Sequence, residues 1–209
     1  MARGILWIVL MVCALLLAGC SSHPPSAAQF MNVKGQGGYF AIGGALRAGD
    51  VYSGDYQSMP DYKAEEGFWN ADLSLLVRYG NIVFGTGVEN IALRNIVGYH
   101  WEYVGLQCWG SLGMAAPVGG ELSFYGGFML IEEYPITEKF RIGASEHISH
   151  NAYTVDDLGY PSTATYWEVG AGTYLAYGDF SLEFRYGREI DDSRNRFYFM
   201  INHALLTPD

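Results

Sequence analysis

From Tyr39 onward the chain separates, segment after segment, into two faces with a period of two residues. That is the periodicity of β-strands, whose successive side chains point to opposite sides. In Ala71–Tyr79 one face holds Ala71, Leu73, Leu75, Val77 and Tyr79, and the other holds Asp72, Ser74, Leu76 and Arg78. In Phe180–Gly187, Phe180, Leu182, Phe184 and Tyr186 oppose Ser181, Glu183, Arg185 and Gly187. Phe140, Ile142, Ala144 and Ile148 oppose Arg141, Gly143, Ser145, His147 and Ser149. Residues 39–48, 82–90, 104–116, 122–131, 163–177 and 197–205 divide in the same way. Tight glycine-bearing connections such as Tyr79-Gly80-Asn81 and Tyr177-Gly178-Asp179 join several of them. The result is about nine strands, close to the roughly 9 to 11 residues a tilted membrane strand needs. No stretch carries the pattern of a long amphipathic helix.

The fold class expected is therefore all-β, a single antiparallel up-and-down barrel. Two versions fit, a soluble barrel with its apolar face inside and an outer-membrane barrel with its apolar face outside. Glycine placement favours the second. Gly43, Gly80, Gly85, Gly87, Gly127, Gly143, Gly170, Gly172 and Gly187 fall on the polar side. A solvated face gains nothing from losing side chains, whereas a narrow lumen needs the room. The charges expected there balance, with Arg47, Arg78, Lys139, Arg141 and Arg185 against Asp72, Glu89, Glu121, Glu168 and Glu183. Charges in a lumen persist when paired, so these are expected as ion pairs. Tyr79, Trp167, Tyr177 and Tyr186 sit near strand ends on the apolar face, as interfacial girdles do.

In pattern, residues 38–206 resemble the small outer-membrane barrels typified by OmpA and OmpX. That resemblance implies an even strand number, so about 8–10 strands are expected. Either one of the nine segments is not a strand, or the stretch 99–118 contains two. A tethered, lipocalin-like ligand-binding barrel is the alternative architecture. The family usually ends its last strand on a terminal aromatic, and this chain runs on to Leu206-Thr207-Pro208-Asp209.

Composition narrows the function classes. Among 209 residues are 27 Gly, 16 Tyr and 11 Phe, too much glycine for a mostly helical protein and too many aromatics for a disordered one. A formal charge of −10 argues against nucleic acid, where affinity depends on neutralising phosphates.

The N-terminus reads as an address. Met1-Ala2-Arg3-Gly4 is a short basic start, and the apolar run from Ile5 to Leu17 has signal-peptide length. It ends in Leu17-Ala18-Gly19-Cys20, which resembles the lipobox of bacterial lipoproteins. The resemblance implies cleavage after Gly19 and acylation of Cys20. Ser21 in the next position implies sorting to the outer membrane. Residues 1–19 are then a signal peptide, 20–36 a lipidated N-terminus and tether, and 37–209 the barrel. Cys108 would be the mature chain's other cysteine, leaving no intramolecular disulfide.

One segment carries candidate chemistry: Ser145-Glu146-His147-Ile148-Ser149-His150-Asn151. His147-Ile148-Ser149 is similar to the His-x-Ser motif of outer-membrane lipid hydrolases, the lipid A deacylases and phospholipase A. The resemblance implies His147 as general base and Ser149 as nucleophile, with Asp156 or Glu168 as orienting partner. Two points oppose it. His150 stands where those families carry Asn, and strand parity turns His147 and Ser149 toward the lumen, away from lipid. His147 and His150 lie three apart and point to opposite faces of a regular strand, so no metal site is expected, nor any cofactor. The role expected is structural or surface-interacting in the bacterial outer membrane, with a lipid acyl hydrolase as the alternative. The expected partners are membrane lipid and an extracellular ligand held by the acidic, tyrosine-rich loop Asp50–Gly67.

Overall fold

The structure is a computed structural model describing residues 23–49, 67–89, 92–112, 124–157, 160–191 and 193–206. Ten strands form one closed antiparallel barrel: β1 (Gly37–Gly49), β2 (Gly67–Tyr79), β3 (Ile82–Glu89), β4 (Ala92–His100) and β5 (Val104–Leu112) in the first half, and β6 (Phe124–Pro135), β7 (Phe140–Asp157), β8 (Tyr160–Tyr177), β9 (Phe180–Glu189) and β10 (Asn195–Leu206) in the second. Each strand pairs with its sequence neighbours, and β1 closes the ring on β10 with a register slip between Phe40 and Ala41.

The strand beyond the expected nine is β4, which reaches only two residues into the 99–118 stretch, so that stretch holds no second full strand among the described residues. Its outer face carries Leu93, Asn95, Val97 and Tyr99, and its inner face Arg94, Ile96, Gly98 and His100. Apolar residues on both sides blur the alternation, because Ile96 packs against an apolar cluster inside the barrel.

The faces are inverted relative to a soluble barrel. Phe128, Val97 and Leu175 are half exposed or more, whereas Glu168, Arg185 and Arg196 have no exposed surface. In β9 the outward residues are Phe180, Leu182, Phe184 and Tyr186, and Glu183, Arg185 and Gly187 face in. This excludes the lipocalin-like alternative, whose apolar face must point inward. The chain is an outer-membrane-type β-barrel.

One end is closed by short turns at residues 80–81, 101–103, 136–139 and 178–179. Gly80 and Gly178 adopt φ of +61° and +56°, as the first central residue of a two-residue hairpin turn requires. Exposed Tyr79, Trp101, Tyr103, Tyr134 and Tyr177 ring this end, where an aromatic girdle belongs. The opposite end bears the connections at 50–66 and 113–123, so it is the outward end by the usual rule of short periplasmic turns and long outer loops.

The segment expected to be a tether is folded inside the barrel. His23, Ser26, Gln29, Phe30, Met31 and Val33 are all buried, and Ala27–Met31 forms a short helix, α1. A free tether would leave Phe30 and Met31 in water; the lumen removes them from it.

Candidate functional site

Among the described residues, buried polar chemistry gathers in the lumen, and the chain's own residues 23–34 run through it. Around Phe30 the lining is apolar. Phe30, Met31 and Val33 join Leu76, Val83, Ile96, Trp109, Met129, Ile131 and Tyr174 in one buried cluster. Burying Phe30 and Met31 contributes about 1.5–3 kcal/mol each. Glycine makes the space: a side chain on Gly105 would start 2.7 Å from the Met31 sulfur and 3.1 Å from the Phe30 ring.

Further along, polar contacts hold the segment. Glu183 accepts a hydrogen bond from Ser26 Oγ at 2.8 Å and weaker ones from the Ala27 and Ala28 amides at 3.4 Å. Arg185, ion-paired with Glu183, donates to the carbonyls of Pro24 and Pro25 at 3.3 and 3.1 Å. Gln29 donates to Asn202 at 2.9 Å. Arg94 donates to the His23 carbonyl at 3.0 Å while holding both oxygens of Asp72 at 2.9 and 2.8 Å. At the turn end Arg141 contacts Asn32, and Arg78 donates to the carbonyls of Val33 and Lys34, each at 3.0 Å.

Of the charges expected to pair in the lumen, Arg185 and Glu183 pair with each other, and Asp72, Arg141 and Glu168 take partners outside that set. Asp72, Arg141, Glu168, Glu183 and Arg185 are buried in the lumen and paired. Arg78 is there too, donating to the carbonyls of Val33 and Lys34 and to His100 Nδ1 (2.8 Å). Lys139 is exposed in a turn and lines a shallow cavity of about 210 Å³ beside Asn32 and Asp179. Its charge belongs to the turn end, because the strand starts one residue later at Phe140. Glu121 and the side chains of Arg47, Glu89 and Asp156 lie outside the described residues.

Four lumen partners escape a reading of the sequence. Arg94 sits on the strand whose alternation is blurred. Glu133 lies beyond the point where β6 looks complete, yet it accepts from Arg141 at 3.1 Å, Lys34 at 3.1 Å and Tyr174 at 2.8 Å. Glu189 and Arg196 look like loop residues and instead form a fully buried pair at 2.7 Å. For three of them the signal available was charge parity: Glu133, Glu189 and Arg196 fall on the lumen side once their strands are extended by one or two residues, whereas Arg94 required the missed strand β4.

His147 and Ser149 also face the lumen, on β7, and the strand carries no bulge that would turn them to lipid. Glu168, opposite Ser149 in the register, accepts from His147 Nε2 at 3.0 Å and from Tyr198 at 2.8 Å, and Arg196 lies 3.7 Å away. Of the two partners considered, Glu168 is therefore the one beside the imidazole. Ser149 accepts the Asn151 amide at 2.9 Å and is fully buried, and no hydrogen bond joins it to His147. A nucleophile must reach both its base and its substrate, and this arrangement provides neither. His150 is on the outer face, its ring tilted against Trp167 with centroids 5.0 Å apart, so the two histidines face opposite sides of the strand.

Neither a protein-family model nor a curated protein matches the sequence. Among solved structures the fold is similar to Neisserial surface protein A, at 13% identity and a TM-score of 0.46, covering 81% of this chain and 96% of that one. It is similar to the N-terminal β-barrel domain of Pseudomonas aeruginosa OprF, at 11% identity and 0.38, covering 82% and 100%. Ail, the attachment invasion locus protein of Yersinia pestis, overlays at 13% identity and 0.35, covering 81% and 97%. The likeness is one of architecture.

Proposed function

We propose that this protein is an outer-membrane β-barrel, lipid-anchored through Cys20, with a structural or surface-interacting role carried by its outer loops. The observation that supports this is the filled lumen. Residues 23–34 and the ion pairs around them occupy it from Lys34 at the turn end to His23 beside Asp72 and Arg94. A rigid, filled barrel is a platform, and recognition then falls to the loops it carries, Asp50–Gly67 foremost by its length and its acidic and aromatic residues.

The hydrolase reading draws on one observation, the hydrogen bond between His147 and Glu168. The same bond is explained by the need to satisfy a buried carboxylate. The test is complementation of a deletion strain with Ser149→Ala. The platform reading expects full restoration and an unchanged acyl-chain profile of the outer membrane. The variant barrel should lose about 1–2 kcal/mol at most, from the Asn151 amide left without its acceptor. Loss of a specific deacylated lipid with Ser149→Ala, the barrel staying folded, would restore the hydrolase.

A further inference from the structure

The path of residues 23–36 has a direction. At the turn end, Gln36 exchanges hydrogen bonds with Gly80, at 2.8 and 3.2 Å. Going back along the chain, Asn32 lies beside Arg141, Gln29 beside Asn202 and Ser26 beside Glu183. His23 lies beside Asp72 and Arg94. Asp72 pairs in register with Glu89, the last residue of β3, and Arg94 is two residues from Ala92, where β4 begins. His23 therefore stands at the loop-side rim of the β3–β4 hairpin, level with the middle of β1 and β2, and the chain descends from there to the turn end before turning up into β1.

We infer that the mature N-terminus emerges at the loop-bearing end of the barrel, so that Cys20 and the acyl groups it carries meet the outer leaflet. The acyl part of this rests on the lipid-anchor reading; the threading rests on residues 23–36. Reach decides between the leaflets. Cys20 precedes His23 by three residues, which span about 10 Å when fully extended. From Asp72 to Tyr79, at the turn end of β2, the strand runs about 23 Å, or roughly 18 Å of depth at the usual tilt. Three residues cannot return an acyl anchor across that depth. Either the segment stays in the lumen and the lipid lies outward, or the lipid lies in the periplasmic leaflet and the lumen is vacated. The buried contacts of His23, Ser26, Gln29 and Phe30 favour the first.

The test places single cysteines in a Cys108→Ala background and exposes intact cells to a membrane-impermeant maleimide. Ser22→Cys is expected to label as strongly as Asp191→Cys, an exposed residue of the loop end. Glu138→Cys, exposed at the turn end, is expected to label only once the outer membrane is permeabilised. Labelling of Ser22→Cys only after permeabilisation, or only after unfolding, overturns the inference. Radiolabelled palmitate incorporation, lost in Cys20→Ala, reads the anchor separately. Its absence from the parent chain would remove the lipid while leaving the threading to stand or fall on the maleimide result.

Discussion

Glu183→Ala is expected to loosen the N-terminal segment and to destabilise the barrel by about 3–5 kcal/mol, the cost of stranding one partner of a buried ion pair. Glu183 is almost fully buried and is the hub of the upper contacts: Ser26, the first amides of α1, and Arg185 all converge on it. Without it Arg185, which has no exposed surface, keeps its charge and retains only the carbonyls of Pro24 and Pro25 and the Met129 sulfur. Glu183→Gln keeps an acceptor for Ser26 and removes the charge, so its loss should fall between wild type and alanine. The measurement is urea unfolding of the protein in lipid vesicles, followed by the mobility difference between folded and heated samples. A change under about 1 kcal/mol for Glu183→Ala, the range of an exposed pair, would show that the lumen is hydrated and the segment only loosely held.

Gly105→Leu is expected to expel the segment while sparing the wall. The nearest atoms to a first side-chain carbon at Gly105 belong to Met31 and Phe30, and none of the three is barrel backbone. Overpacking costs about 1–3 kcal/mol when neighbours can shift. Here the neighbours are an inserted segment, which can leave. The variant should retain heat-modifiable mobility, become sensitive to protease near Phe30, and conduct ions in planar bilayers where the parent is silent. Gly98 is a poorer choice, because the Phe30 ring at 2.6 Å is joined there by the Leu106 carbonyl of the neighbouring strand. A silent Gly105→Leu barrel with the segment still protected would mean that Phe30 and Met31 are not what fills this part of the lumen.

The wall of the barrel was legible because its physics is periodic. Each strand must present one face to lipid and one to the lumen, and Phe180–Gly187 or Ala71–Tyr79 declare that alternation residue by residue. It faded where the lumen itself turns apolar, as at Ile96 on β4, since an apolar residue on both faces cancels the signal. The content of the lumen was not legible. The stretch 23–36 has no period, and its place is set by cavities that glycines on distant strands leave, such as those at Gly43, Gly98 and Gly105. What hinted at it was Phe30-Met31 in an otherwise small and polar stretch. The glycine bias of the polar face makes room for lumen side chains, as at Gly143 beside the Tyr174 ring and Gly170 beside the His147 ring. Gly105 adds a second use, room for the chain's own N-terminus. For the candidate dyad, strand parity alone gave the orientation of His147 and Ser149, whereas the pairing of His147 with Glu168 needed the β7–β8 register.

If the barrel holds its own N-terminal segment in its lumen, a disulfide can trap it there. Met31→Cys and Gly105→Cys are combined in the Cys108→Ala background, oxidised in native membranes, and run unfolded without reductant. An internally cross-linked species of altered mobility is expected, absent when Gly105→Cys is replaced by Phe128→Cys on the lipid-facing side. A folded, heat-modifiable barrel whose cysteines at 31 and 105 never join would contradict that placement.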